Sequence, residues 1–432
     1  MNLKIAASEL LLDIENGSYS NIALNDFFGK NKLMYKEKAF ITEIVYGVIR
    51  NRIFIDYVIN KFAKKIKKKE IYFLTAITIY QIFYMKSDEA GSVWEAADIV
   101  KKIYGKEVAG FINAVLRNII AEKEIITEEL IKSKKFDILY SYPSWIVGMF
   151  KKEYKEEYIE AMKSYKKSSK LGVRVNLLKY SCEEFEEYIK NKNGTILKKC
   201  ENHYYIESID IVNSELFKEG KLFIQDGASF LVSKLSKVSA GDVVLDACSA
   251  PGSKTSVLAE MMNNNGRIIA LDIYEHKIKL IEENCNKLGI TIVESLCKDA
   301  REVCEINQEY DKIIVDAPCS GLGILRKKPE IVYNKSYEDI AKLSKLQFEI
   351  LTSCAKKLKT NGILIYSTCT FTKQENIEVI KKFMNENQGY VVESAEIPDN
   401  IIYNTDEIGG VQIDYKEEYF DGFYMIKLKK VM

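Results

Sequence analysis

Histidine is almost missing from this chain: there are two in 432 residues, His203 and His276. Chemistry built on a histidine triad or a histidine-rich metal site is therefore not expected, and no metal is assigned. Arginine is also scarce, with 7 against 56 lysines, which we read as genome composition bias. Net charge is only +1, so any nucleic-acid affinity must come from local patches. The nine cysteines are odd in number and lack CxxC spacing, which argues for a reducing compartment and against a disulfide framework. No apolar run reaches the roughly 18 residues a membrane span needs. Asp13 and Glu15 interrupt the N-terminus before any signal-like apolar core. A cytoplasmic protein with no membrane association is expected.

Proline is rare too, at five residues, and its placement is informative. None precedes Pro143, which suits an uninterrupted helical bundle over residues 1–135. Ala6, Leu10, Leu11 and Ile14 recur at helical spacing, as do Phe40, Ile44, Val45 and Val48. Residues 61–69 carry six lysines, either a solvated helix end or an RNA-facing patch. Residues 140–225 read as a small mixed α/β module. Strands are expected at Val173-Arg-Val-Asn-Leu-Leu and His203-Tyr-Tyr-Ile, with a helix over 182–190 between them. Lys163, Lys166, Lys167 and Lys170 lie ahead of it as a second basic stretch. From 226 to 432 strands and helices alternate, the pattern of a parallel sheet with crossover helices. Val243-Val-Leu-Asp246, Arg267-Ile-Ile-Ala-Leu-Asp272, Ile313-Ile-Val-Asp316 and Ile363-Leu-Ile-Tyr366 are its predicted central strands.

Two of these strands run into cysteines: Asp311-Lys-Ile-Ile-Val-Asp316-Ala-Pro318-Cys319 and Gly362-Ile-Leu-Ile-Tyr-Ser367-Thr368-Cys369. Chemistry in an open α/β sheet occurs outside the carboxyl ends of its strands. If the two strands are neighbours, both thiols face one crevice, which points to covalent thiolate chemistry. The first strand leads into Asp246-Ala-Cys248-Ser249-Ala250-Pro251-Gly252-Ser253-Lys254-Thr, a turn of small residues opening a helix. It is neither GxxxxGK[ST] nor GxGxxG, so phosphate binding is not its natural reading. Asp272 ends the next strand, where an acid commonly accepts from ribose hydroxyls. Asp299, after a further strand, could accept from an exocyclic amine. Together they suit an adenosine cofactor without a pyrophosphate, namely S-adenosylmethionine. The plainer reading is that these acids cap the helices that follow them.

These motifs resemble those of the RNA cytosine carbon-5 methyltransferases, the NOL1/NOP2/Sun family, in its bacterial 16S ribosomal RNA RsmB/Sun/Fmu type. The resemblance rests on DACSAPGSKT, Asp272, Asp299, DAPCSGLG, STCT with Gln374-Glu375-Asn376, and the closing DGFYMIKL. It extends to Ala6-Ala-Ser-Glu-Leu-Leu, to Gly110-Phe-Ile-Asn-Ala-Val-Leu-Arg and to Phe223-Ile-Gln225-Asp226-Gly, and so covers nearly the whole chain. It implies an all-α NusB-like bundle at 1–135, a small connecting RNA-binding module at 140–225, and a Rossmann-like methyltransferase domain with a mostly parallel sheet at 226–432. The chain departs from the family pattern at Ser253, where a second glycine is usual, and at Tyr142, where a histidine usually precedes the Pro-Ser-Trp element. The customary histidine–glycine pair before Asp421 is also absent.

By resemblance, Cys369 is the nucleophile, Cys319 assists product release, Asp316 touches the reacting base or the cofactor's methionine end, and Lys254 steadies that acid. Cys248, Ser249, Ala250, Pro251, Gly252, Ser253, Lys254, Asp272, Asp299 and Asp316 would line the cofactor site. The implied partner is 16S ribosomal RNA, free or in a partly assembled small subunit, bound by a monomer. A flipped or single-stranded base is expected, and the basic loop Arg326-Lys-Lys328 either meets phosphates or is a solvated loop. The alternatives are a transfer RNA cytosine carbon-5 methyltransferase, an amino-group methyltransferase, and an RNA-binding factor with a vestigial catalytic body.

Overall fold

The computed structural model describes residues 2–63 and 66–432, and the chain divides into two compact units. One comprises residues 1–166 with 328–334; the other comprises 167–327 with 335–432.

The first unit is all helical. Its opening helix, Leu3–Glu15, is capped by the Asn2 side chain, which accepts from the Lys4 and Ile5 amides. It buries Ala6, Ala7, Leu10 and Leu11, the spacing that marked it in the sequence. The helix Lys69–Tyr84 is buried continuously from Phe73 to Ile82, so it forms the centre of the bundle. Lys106–Ala121 instead buries one stripe, Ala109, Ile112, Val115, Leu116 and Ile119. A segment from far along the chain completes this unit: Ser20 Oγ donates to Glu330 Oε1 at 2.6 Å, and Tyr333 OH to the Ile49 carbonyl at 3.0 Å. The six-lysine stretch is partly engaged. Lys61 pairs with Glu129, Lys69 pairs with Glu15, and Lys68 lies over the Tyr104 ring. Lys64 and Lys65 lie outside the described residues.

The second unit carries two sheets. The smaller is antiparallel, in the order β2-β3-β1-β4, with β1 Leu171–Val175, β2 Thr195–Cys200, β3 His203–Glu207 and β4 Leu222–Ile224. Val173, Val175, Phe185, Tyr204, Ile206 and Leu222 form its core under the helix Cys182–Asn191. The first strand begins two residues before the expected stretch and ends three residues sooner. The Asn176 backbone amide keeps one bond, to the Lys221 carbonyl, while its side-chain amide donates to the Gly220 and Leu288 carbonyls and the chain turns away.

The larger sheet has the order β11-β12-β13-β9-β8-β5-β6-β7, with β10 also paired to β13. Its parallel body is β5 Val243–Asp246, β6 Arg267–Asp272, β7 Val293–Cys297, β8 Tyr310–Asp316 and β9 Leu358–Thr368. β10 Tyr390–Glu393, β11 Tyr403–Thr405, β12 Val411–Ile413 and β13 Tyr424–Lys430 form an antiparallel flank. This is a Rossmann-like, mostly parallel sheet. Strand order reverses about β5, so a crevice opens outside the carboxyl ends of β5 and β8.

Arg174 joins the small sheet to the cofactor-turn helix Ser253–Met261. It is fully buried, and it donates to Gln225 Oε1 at 3.1 Å and to Ser256 Oγ at 2.9 Å. It also pairs with the buried Glu260 at 2.9 Å. Truncating one member leaves the other charged in a dry place, at a cost of about 3–5 kcal/mol. Arg174→Ala is thus expected to lower unfolding free energy by about that much in urea, whereas Arg267→Ala at the exposed pair with Glu294 costs about 1 kcal/mol or less. Equal losses would contradict the burial argument.

Candidate active site

β8 and β9 are adjacent and parallel, with Asp316 opposite Ser367. Both thiols lie just past these ends, and Cys319 Sγ is 3.1 Å from Cys369 Sγ. The Ala317 amide donates to the Ser367 carbonyl at 2.9 Å, extending the pairing toward the thiols. The Cys369 amide donates to Cys319 Sγ at 3.3 Å. Its hydrogen bond with Cys369 and its burial push the Cys319 thiol well above its ordinary range, reinforced by the charges of Cys369, Glu375 and Asp316. Gly323 lies against the Cys369 turn and against Gly422. Its amide donates to the Cys369 carbonyl at 2.9 Å, and a Cβ there would lie 1.8 Å from the Gly422 carbonyl oxygen. Only glycine allows that approach.

Asp316 is held at both oxygens. Lys254 Nζ donates to Oδ2 at 2.5 Å, and Ser367 Oγ donates to Oδ1 at 2.7 Å. Lys254 is buried in the first turn of the helix Ser253–Met261, so the cofactor turn and the thiol strands are joined by one ion pair. Gly252 caps that helix at φ +91, a left-handed conformation that favours glycine. The turn is pinned from two sides: Ser249 donates through its amide and its hydroxyl to the Leu271 carbonyl, and Asn284 donates to the Pro251 carbonyl. Ser253 occupies the position of the missing glycine without disturbing the turn, and its carbonyl accepts from Gln225. Burial pushes the Cys248 thiol up, which suits a lining residue better than a nucleophile.

The three strand-end acids differ in how far they are already engaged. Asp272 accepts from the Tyr274 amide at 3.2 Å and lies 3.6 Å from Lys277. Asp299 caps the turn Ala300–Glu305 and pairs with Arg301 at 2.7 Å, which holds its carboxyl below the usual range. A fourth acid escaped the sequence reading. Asp246 is fully buried; Thr255 donates to Oδ2 at 2.7 Å, and Oδ1 has no partner among the described residues. Its burial pushes it up to about 6. An orphan acceptor of this kind fits a ligand ammonium such as that of a methionine moiety. The signal was present in the sequence, since Asp246 ends its strand as Asp272 and Asp316 end theirs. Ser367 gave no such signal, because its role depends on strand register.

The basic loop after Cys319 does not face phosphates as expected. Arg326 is buried and donates to the backbone carbonyls of Tyr415 and Glu417. Lys327 bridges Asp226 at 2.5 Å and Asp421 at 2.8 Å. These cations are consumed in holding the loop to the chain before β13, and only Lys328 of the three is exposed. The second basic stretch is likewise engaged: Lys166 donates to the Arg50 carbonyl, Lys167 pairs with Glu418, and Lys170 with Glu207. His203 is buried against Phe230 and Tyr205 and donates through Nε2 to the Gln225 carbonyl, while His276 is exposed on the helix Glu275–Leu288.

The fold and the sequence both have known relatives. Residues 234–429 match the family model for 16S rRNA methyltransferase RsmB/F, and residues 1–121 match the NusB family. A probable ribosomal RNA small subunit methyltransferase B from Bacillus subtilis (strain 168) is 33% identical over 98% of this chain and 98% of its own. The chain belongs to the RsmB/F family of ribosomal RNA methyltransferases. A ribosomal RNA small subunit methyltransferase B from Vibrio vulnificus (strain YJ016) is 28% identical over the whole of both chains. The solved structure of PH0851 superposes with a TM-score of 0.84 at 26% identity, covering 100% of this chain and 99% of that one. As an RsmB/F family member the protein carries an S-adenosylmethionine-dependent RNA methyltransferase domain behind a NusB-like helical region. No helix among the described residues is long and apolar enough to cross a membrane.

The Lys327 cluster offers a test of the loop's electrostatics. Two carboxylates share one ammonium in a buried place; burial first, then the Asp226 charge, push Asp421 up to about 7 against the pull of Lys327. An unfolded Asp titrates near ~3.9. Its folded value is raised, so the stability that its proton contributes is fully present below about pH 4 and lost as pH rises through about 7. Asp421→Asn mimics the protonated acid. Its stability relative to wild type is expected to grow from pH 4 to pH 7 and then level off, by denaturant melts across that range. A constant difference would refute the shared-charge account.

Proposed function

We propose that this protein methylates carbon 5 of one cytosine in 16S ribosomal RNA, in the cytoplasm, through a covalent cysteine–cytosine adduct. The observation that carries this reading is the 3.1 Å thiol pair at the ends of adjacent parallel strands, beside Asp316. Amino-group transfer needs no thiol, let alone two.

Cytosine carbon 5 is a weak nucleophile. The Cys369 thiolate adds to carbon 6, and the ring's electrons then make carbon 5 enamine-like. S-adenosylmethionine supplies the electrophilic methyl group when bound. A base then takes the proton on carbon 5, the electron pair of that C–H bond re-forms the carbon 5–carbon 6 double bond, and the carbon–sulfur bond at carbon 6 breaks with its pair leaving on the Cys369 thiolate. Cys319, held as a thiol beside that sulfur, assists the release. Asp316, fixed by Lys254 and Ser367, contacts the base at one edge. Asp272, Asp246 and the turn at residues 248–253 hold the cofactor, and Asp299 reaches its base once Arg301 yields an oxygen. We read residues 1–135 as the NusB-like domain, 140–225 as the RNA-holding module and 226–432 as the catalytic domain. The NusB-family match supports a ribosomal over a transfer RNA target.

With ribosomal RNA and S-adenosylmethionine present, Cys319→Ala is expected to give a protein–RNA species that survives a denaturing gel, and Cys369→Ala none. If Cys369→Ala methylates the RNA and neither variant traps it, the covalent reading is lost. Asp272→Ala is expected to weaken S-adenosylmethionine binding about 10- to 100-fold by calorimetry, the loss of a charged hydrogen bond; unchanged affinity would remove Asp272 from the cofactor site.

A further inference from the structure

We propose that Glu375 is a positioning residue that holds Cys319 against Cys369, and so controls release of the methylated product rather than attack on the base. The inference rests on the adduct mechanism above.

Glu375 is fully buried, between the strand β9 and the helix Ile377–Glu386. Its carboxylate accepts four hydrogen bonds. Oε1 takes the Ser320 amide at 2.7 Å and Gln347 Nε2 at 3.1 Å; Oε2 takes Ser320 Oγ at 2.6 Å and Thr372 Oγ1 at 2.7 Å. Two of the four donors belong to the residue after Cys319, and one lies three residues past Cys369. The same carboxylate therefore grips both turns. The Ser320 hydroxyl has a single proton, which it gives to Glu375. In its 2.9 Å contact with Thr370 Oγ1 it must then accept, so Thr370 donates and the two turns are tied a second time. Gln347 Nε2 adds a bond to the Pro318 carbonyl at 2.9 Å, on the other side of Cys319. Asn376 completes the frame around Cys369: it accepts from Thr368 Oγ1 at 2.6 Å and donates to the Thr370 carbonyl at 3.0 Å.

The two thiols are thus held unequally. Cys369 follows directly on β9 and is flanked by the Asn376 contacts, so its place survives without Glu375. Cys319 lies three residues past β8, and its neighbour Ser320 has Glu375 as the partner of both amide and hydroxyl. Loss of the carboxylate frees Cys319 first. An enzyme that still attacks but releases slowly accumulates its adduct.

The experiment compares Glu375→Ala, Glu375→Asp and Glu375→Gln with Cys319→Ala, using ribosomal RNA, S-adenosylmethionine, denaturing gels and calorimetry. Glu375→Ala and Glu375→Asp are expected to trap RNA covalently, with turnover reduced about 100-fold for a displacement of about 1 Å. S-adenosylmethionine affinity should be unchanged. Glu375→Gln keeps the length, and its amide can accept from the Ser320 amide and donate to a hydroxyl, so it should release product close to wild type. If Glu375→Ala does not fold, Glu375→Asp carries the test. The proposal is overturned if Cys319→Ala traps RNA while Glu375→Asp turns over like wild type, or if Glu375→Asp loses turnover with no adduct. If Cys319→Ala itself traps nothing, the adduct mechanism fails first, and that result is separate.

Discussion

The register of one pair of parallel strands governs this site. With Asp316 opposite Ser367, the chain leaves β8 and β9 at the same level, and the two thiols meet. Side chains alternate faces along a strand, so a slip of one residue would turn Ser367 away from Asp316. It would also part the sulfurs by about 3.3 Å, the rise of one residue. The neighbours β5 and β13 fix both strands from outside; buried Ile314 and Ile365 pack on one face, and Val315, Tyr366 and Ile426 on the other. The chemistry therefore depends on sheet packing far more than on the flexibility of the loops that carry the thiols.

A second constraint is the treatment of charge inside the protein. Burying an ion is tolerable only where donors or a counter-ion replace its water. Each acid near the crevice follows this rule differently. Asp316 has Lys254 and Ser367; Glu375 has neutral donors; Asp421 shares Lys327 with Asp226. Asp246, unlike these three, keeps an oxygen without a partner among the described residues. The engaged groups build the walls, and the unengaged one keeps an acceptor that a ligand donor could fill.

How much of this was legible in the chain varies with the range of the interaction. Strands ending in Asp246, Asp272, Asp316 and Thr368 were marked by apolar runs, and the structure places them there with small changes of boundary. The helical third was legible from its 3.6-residue pattern. The strand Thr195–Cys200 was hidden because Lys198 and Lys199 break the alternation, while their ammonium groups reach Glu417 and Glu186. The antiparallel flank β10–β12 was missed because its strands are three or four residues long. The basic loop was misread for a deeper reason: a sequence shows that Arg326 and Lys327 are cationic, but not that backbone carbonyls and two buried acids already claim them. Glu375 was quoted in a motif, yet its four donors come from three separate stretches of chain.

The same accounting separates the basic residues an RNA can draw on from those it cannot. Lys327 and Arg326 are fixed where their loss would leave acids or carbonyls unpaired, so a phosphate cannot recruit them without opening the loop. Lys167, Lys170 and Lys199 are half-exposed, and each is paired with an exposed glutamate. Such pairs are worth about 0–1 kcal/mol, so exchanging a carboxylate for a phosphate costs little. A chain with a net charge of +1 can therefore still bind RNA locally, through weak ion pairs that trade partners. Attraction of that kind is short-ranged and salt-sensitive. It leaves selection of the target in the RNA to the shape of the crevice, and the cations around the thiols to the work of holding that shape.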